Sequence, residues 1–419
     1  MSRVPKVILL IEKSRAFGRG LLHGIVQYSN FHGPWLFYME PEAHKKGRKH
    51  PYEWIKELQA DGIIGYTWDA NLIKVIVNLG CPAVIRGLER PTQHAYCVVT
   101  DQAAIAQTAV EYFLELGFRR FAYCGYDDMI WSQQRGENFK RIVTESGFNL
   151  KMYMYKQPKA KRLRTPDKEQ VVIAKWLVSL EKPIAVMAGN DDRSQDVLAA
   201  CKIAGINVPS EVAILGVDND ELICGLSYPQ LSSIALSTQR AGYEAAQLLG
   251  KLMDGQKVGE NERGPISQKN GEMGTQKEVL VSPLHVVTRQ STDIMAIEDK
   301  QVANAVHFIR NHSNEVIQVS NVAEAAGLSR RTLEQRFRKI LGHSVLEEIK
   351  YARVNQMAKM LVETNLSISQ IAWSLGFPYT NNISRYFKQQ KGLSPMEYRR
   401  KYAPKKTFGG RNFLNPNLV

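Results

Sequence analysis

The sequence predicts an α/β domain built on parallel β-sheet, followed by a smaller all-α domain in which a helix-turn-helix occurs twice. Three observations carry that reading. Short β-branched runs alternate with helical stretches from residue 5 to about 255, everything after about 300 has helical periodicity, and one helix-turn-helix pattern returns 49 residues after its first appearance. A chain of 419 residues is too long for one compact core. Its 23% charged and 44% hydrophobic residues match an ordinary soluble globular protein rather than a disordered or membrane one.

The first element is the apolar run Val7 to Ile11, read as a strand. It is too short to span a bilayer and no small-residue cleavage pattern follows, so a cytoplasmic protein with no membrane partner is expected. WLFYM, DGIIG, CPAVI, YCVVT, RRFAYCG, PIAVMAGN and VAILGV continue the strand series, while Ala103 to Leu116 and Gln195 to Ala204 have the length and apolar spacing of crossover helices. Residues 254–277 carry five glycines and almost no large apolar side chains, as a surface insertion would. EVLVSP and HVVTR read as a further strand pair, and STDIMAIEDK as a connector. The domain boundary therefore falls at 291–299, between a domain at 1–290 and a helical one at 300–405, with a tail at 406–419.

In parallel sheets of this kind ligands sit beyond the carboxyl ends of the strands. The polar residues standing there are Asp101 after YCVVT, Asn190 and Asp191 after VMAG, and Asp218 and Asn219 after VAILGV. Such groups form paired hydrogen bonds with neighbouring hydroxyls, and Trp131 could supply a stacking face, although a large aromatic is more often core. Ser14 and Arg15, just past the first strand, could close the pocket from the other side. Asp101 and Asp191 also precede helices, and an N-cap Asp is commoner than a ligand Asp. Asp218 stands first, because Asn219, Asp220 and Glu221 beside it make a cluster denser than a cap requires.

No metal site is expected. Cys81, Cys97, Cys124, Cys201 and Cys224 never fall at paired ligand spacing, and the nine histidines are scattered. The net charge of +14 is uneven: residues 301–419 hold 18 Lys and Arg against 7 Asp and Glu. A basic domain of this sort usually meets nucleic acid.

Within it, Ser320 can cap a helix carrying Val322, Ala323 and Ala326; Gly327 turns the chain, and Ser329 caps a second helix with Leu333 and Phe337. Ser367, Ile371, Ala372, Leu375, Gly376, Ile383 and Phe387 repeat the pattern, and a long helix near Val345 to Glu363 joins the two. Rigid spacing would let both units read one face of DNA, about 34 Å apart. The segment Ile368 to Pro395, with Gly376, Phe377, Phe387, Lys388, Gly392, Ser394, Pro395 and Tyr398, resembles the signature of the arabinose-regulator (AraC) family, and the resemblance spans about 301–403. It implies base-reading positions at Arg331, Glu334 and Gln335 in the first unit and at Thr380, Asn381 and Arg385 in the second, with Asn382 beside them. Arg, Gln and Asn on the face opposite the apolar anchors suit bidentate pairing with base edges. Arg330, Arg336, Arg338, Lys339, Lys388 and Lys391 are expected on phosphates.

The phrases DGIIG, CVVTDQ, AVMAGNDD, GINVPSEVAILGVDND and VVTRQST resemble, in that order, the effector domain of the lactose- and galactose-repressor (LacI/GalR) family. That resemblance implies a two-lobed, type I periplasmic-binding-protein-like domain with crossings near 118, 236 and 283, and it matches Arg135 to the effector-binding arginine. One departure is plain: that family carries its helix-turn-helix before this domain. The fused plan, with LLIEKSRAFGRGLLHGI and the join of VVTRQSTD into AVHFIRNH, resembles bacterial pentose-operon regulators. It implies a DNA-binding activator that takes a sugar effector, D-xylose first and a hexose or purine as alternative, with an operator in double-stranded DNA, RNA polymerase and a second copy of the chain as partners. No cofactor and no enzymatic activity are expected. The rival is a nicotinamide-dependent oxidoreductase, from Gly18, Gly20 and Gly24 with Glu40 as ribose-binding acid; but Gly18 comes seven residues after Ile11, too late for a phosphate-binding turn.

Overall fold

In the computed structural model the chain is described for residues 3–39, 52–67, 69–86, 95–155, 166–255, 278–294, 299–377 and 380–402, without the side chains of 166, 167, 363, 380–383 and 401. Glu40, most of the 254–277 insertion, part of the expected linker (295–298) and the 406–419 tail lie outside the described residues.

The α/β part runs β1 (Lys6–Leu10), α1 (Ala16–His32), β2 (Leu36–Tyr38), α2 (Glu53–Glu57), β3 (Gly62–Tyr66), α3 (Ala70–Asn78), β4 (Ala83–Arg86) and β5 (Ala95–Thr100). It continues through α4 (Gln102–Glu115), β6 (Phe121–Tyr126), α5 (Ile130–Glu145), β7 (Leu150–Tyr155), α6 (Pro166–Val178), β8 (Ile184–Ala188), α7 (Asp191–Ala204), β9 (Val212–Val217) and α8 (Glu221–Leu226). It ends with β10 (Ser232–Leu236), α9 (Thr238–Met253), β11 (Glu278–Val281) and β12 (Pro283–Val287). The helical part follows: α10 (Lys300–Asn311), α11 (Val319–Ala325), α12 (Arg330–Leu341), α13 (Val345–Glu363), α14 (Ile368–Ser374), α15 (Thr380–Lys391) and α16 (Pro395–Tyr402).

Two six-stranded sheets form two lobes with the same strand order, β2-β1-β3-β4-β5-β11 and β7-β6-β8-β9-β10-β12. The first is parallel throughout, and the second is parallel except for β12, which runs antiparallel to β10. Both faces of each sheet are covered, which is why the strands read as continuous apolar runs. In β1, Val7 and Leu9 enter one core while Ile8 enters another; in β8, Ala185 and Met187 part from Ile184 and Val186 in the same way.

Two expectations change here. EVLVSP and HVVTR are not a pair: β11 joins the first sheet and β12 the second, since the single residue between them is too short for a hairpin turn. The first passage between lobes lies at 101–102, not near 118, because α4 packs on α5, β10 and β12 of the second lobe. The other passages fall at 237, ahead of α9, and at 282.

By packing, residues 1–312 with 317–349 form one compact unit, and 313–316 with 350–419 a second. In the first unit Ser329 caps α12, its side chain accepting from the Thr332 amide at 3.2 Å. Ser320 caps nothing: Asn321 Oδ1 accepts the Gln318 amide at 2.9 Å, and α11 starts earlier, at the buried Val319. In the second unit Ser367 and Gln370 form a reciprocal capping box. A Cβ on Gly376 (φ +74°) would lie 1.9 Å from Val316 Cγ2, so this turn admits only glycine.

Candidate functional site

The glycines of α1 are the first structural answer about function. A Cβ on Gly20 would stand 2.0 Å from Thr238 Oγ1, and one on Gly24 1.9 Å from the Gln239 carbonyl oxygen. Gly24 brings the α1 and α9 backbones together and Gly20 makes room for the Thr238 side chain, so these glycines serve helix packing. The helix begins at Ala16, so Gly18 lies within its first turn.

The cavity between the lobes lies where the strand-end rule puts it. Lobe one contributes Phe17 at the start of α1, Tyr66 at the end of β3 and Arg86 at the end of β4; lobe two contributes Trp131 and Arg135 from α5, Asn190 after β8 and Asp218 after β9. The empty space is about 280 Å³ and partly open to solvent.

Each polar group is pre-oriented. Arg135, 2% exposed, donates from Nε to Gln102 Oε1 at 2.8 Å and from Nη1 to the Gly189 carbonyl, and its guanidinium lies 5.2 Å from the Trp131 ring centre. The buried Arg86 lies over the rings of Phe17 (4.4 Å) and Tyr66 (4.7 Å). Asn190 caps α7, its Oδ1 accepting from the Arg193 amide at 3.0 Å. Asp218 (φ +103°) and Asn219 (φ +48°) both hold left-handed backbone, strain that recurs at ligand sites. It is held by the Asn219 amide donating to Ser233 Oγ at 3.0 Å and the Asp220 amide to Asp191 Oδ2 at 2.7 Å. Burial pushes the Asp218 carboxyl up to about 6, while Arg135 and Arg86 pull the other way.

Several sequence candidates stand elsewhere. Asp191 points away from the cavity: buried, it accepts from Ser233 Oγ at 2.5 Å and the Asp220 amide, and burial, then the Asp218 charge, hold its carboxyl well above the usual range. Asn219 Oδ1 accepts from Arg289 Nη2 at 3.0 Å. Asp101 caps α4, accepting from the Ala104 amide at 2.9 Å. Ser14 is exposed and donates to Glu12. Arg15 binds Asp192 across the lobes at 2.9 Å, and nearby Asp220 accepts from Arg19 (2.9 Å) and the Ala16 amide (2.7 Å). These ties join the two lobes. Sequence reasoning missed Phe17, Tyr66 and Arg86, although the strand-end rule applied to GIIGY and AVIR points at the last two.

On α12, Leu333 and Phe337 are buried while Arg330, Arg331, Gln335, Arg338 and Lys339 are exposed. Arg336, expected on a phosphate, donates to Asp299 (3.2 Å) and Gln301 (2.8 Å). Glu334 is half-buried with one carboxylate oxygen shut from solvent, whereas Arg331 and Gln335 are exposed. On α15, Phe387 is buried and Arg385 and Lys388 are exposed, whereas half-buried Lys391 lies over the Tyr351 ring. The side chains of Thr380, Asn381 and Asn382 lie outside the described residues.

Comparison with known proteins agrees with this architecture. A periplasmic binding protein-like domain model matches residues 110–292, and a helix-turn-helix domain model matches 322–401. The chain is 28% identical to the xylose operon regulatory protein of Escherichia coli K12 over 402 residues, covering 94% of this chain and 96% of that one. It is equally similar to the protein of that name from Haemophilus influenzae, over 94% and 98%. The solved structure of the xylose-binding transcription activator xylR matches with TM-score 0.58 and 26% identity, over 96% of this chain and 99% of that one. A two-lobed periplasmic-binding-protein-like domain followed by a double helix-turn-helix domain is thus the plan of this chain.

Proposed function

We propose that this chain, a relative of the xylose operon regulatory proteins along nearly its whole length, is a sugar-responsive transcription regulator and not an enzyme. The observation that carries the reading is the cavity itself. Guanidinium, amide and carboxylate groups that bind vicinal hydroxyls meet aromatic faces that suit the C–H side of a sugar ring, all lining one cleft. D-xylose is the effector, held chiefly by Asp218, Arg135 and Asn190, with Trp131 as the stacking face. Arg331, Gln335 and Arg385 read bases of an operator, while Arg330, Arg338 and Lys388 hold phosphates. The protein works in the cytoplasm as a homodimer and activates by engaging RNA polymerase. The functional division is a sensor at 1–290 and a DNA reader at 300–405.

Calorimetric titration of the full chain with D-xylose, arabinose, ribose and glucose tests the effector, and xylose should bind tightest. Tighter binding of a hexose or a purine would overturn the effector and leave the regulator reading in place. Selection of duplexes from a random pool should yield a defined site. Its affinity should fall steeply with salt, because several phosphates are neutralised. Arg331→Ala and Arg385→Ala should each cost about 1–3 kcal/mol and relax one base position, whereas a uniform loss over all sequences would make them phosphate contacts.

A further inference from the structure

We propose that α4 is the strut that carries effector occupancy from the cavity to the DNA-reading helices, gripped by Arg135 at one end and by Arg310 at the other. The inference rests on the regulator reading above. At its start, the buried Gln102 accepts the Arg135 Nε hydrogen bond at 2.8 Å, and the Asp101 amide donates to the Val281 carbonyl at 2.9 Å. The helix therefore begins at a passage between the lobes, hydrogen-bonded to a residue of the cavity wall. Its 14 residues span about 21 Å. Ile105, Ala106, Ala109, Val110 and Phe113 are buried along it, so it moves as one body.

Its far end is held twice. The Tyr112 hydroxyl lies 3.0 Å from Thr288 Oγ1 and 2.7 Å from Thr292 Oγ1, on the stretch that leaves β12 toward α10. The last carbonyl of the helix, Glu115 O, accepts from Arg310 Nη2 of α10 at 3.0 Å, where a cation also meets the negative end of the helix dipole. Arg310 Nε stands 3.8 Å from Glu348 Oε1 in the first turn of α13, and the other Glu348 oxygen is 2.9 Å from His343 Nε2, just past α12. One guanidinium thus joins the sensor to the helices that flank the first reading helix. Hydroxyls that take up the remaining Arg135 N–H groups change the hold of an already oriented guanidinium on Gln102, and with it on the start of the strut. The altered hold is delivered at Glu115.

The test uses the full chain, D-xylose, and a duplex which that chain selects from a random pool. DNA affinity with and without sugar gives a coupling factor, and such factors commonly span about 5–150-fold. Arg310→Gln and Tyr112→Phe are expected to leave sugar affinity, and DNA affinity without sugar, within about twofold while the factor falls toward one. An unchanged factor in both variants overturns the proposal. Loss of either affinity on its own in Arg310→Gln also overturns it, because the residue would then be structural. A wild-type chain that binds no sugar or shows no coupling fails the regulator reading itself, a result distinct from failure of the variants alone.

Discussion

The two lobes share one strand order yet put different chemistry at equivalent places. The helix after the first strand brings Phe17 in one lobe and Trp131 with Arg135 in the other; the next strand along ends in Tyr66 or is followed by Asn190; the one after it ends in Arg86 or is followed by Asp218. Lobe one is an apolar cover with a single stacked guanidinium. Lobe two holds a carboxylate, an amide and a guanidinium, the last two already oriented by hydrogen bonds. The shared topology decides where a ligand sits, and the strand-end side chains decide what kind of ligand it is.

The strongest test of that asymmetry is unequal loss of sugar binding. Asp218→Ala should cost about 1–3 kcal/mol or more, because sugar hydroxyls lose a charged acceptor in a water-poor site. Tyr66→Phe should cost well under half as much. Equal effects in a calorimetric titration would end the distinction between binding lobe and cover.

A second contrast lies in the helix pairs. α1 meets α9 through glycines, while α4 meets α5 through alanine and larger apolar residues. Gly24→Ala should therefore destabilise the fold by about 1–3 kcal/mol, since the added carbon meets backbone that cannot step aside. Ala109→Gly in α4 should cost only about 0.5–1 kcal/mol. Thermal unfolding of both variants orders them.

Acidity sharpens the comparison further, because lobe two carries the titrating group. The Asp218 carboxyl titrates at about 6 in the fold, above its usual value of about 3.9. Ionising it costs the sugar-free fold stability; that cost is absent below about pH 4 and fully present above about pH 6. Sugar hydroxyls donate to the ionised form, so xylose affinity should be flat above about pH 6 and fall as pH drops through it. Asp218→Asn should abolish the pH dependence of xylose affinity, as titrations across that range would read.

The smallest effect belongs to the latch. The exposed Arg15 to Asp192 pair should contribute about 0–1 kcal/mol, so Arg15→Gln should weaken sugar binding only slightly. Arg19→Gln should weaken it more, because its partner Asp220 is buried.

Much of this was legible in the residues alone. Period-two and period-3.6 patterns depend on neighbours a few positions apart, so the strand series, the crossover helices, the Ser329 and Ser367 caps and the duplicated reading unit follow from local sequence. The strand-end rule also pointed to Asp218 and Asn190, Trp131 was read beside them as a stacking face, and the repressor-family resemblance pointed to Arg135. What the tertiary structure alone decided is which of two adjacent residues faces the cavity: Asn190 rather than Asp191, Asp218 rather than Asn219. Those orientations are set by Ser233 and Arg289, 42 and 70 residues away in the chain. The contribution of Phe17, the allegiance of α4 to the second lobe, and the close approach of α9 to Gly20 and Gly24 were likewise fixed by packing between distant segments, which no local pattern encodes.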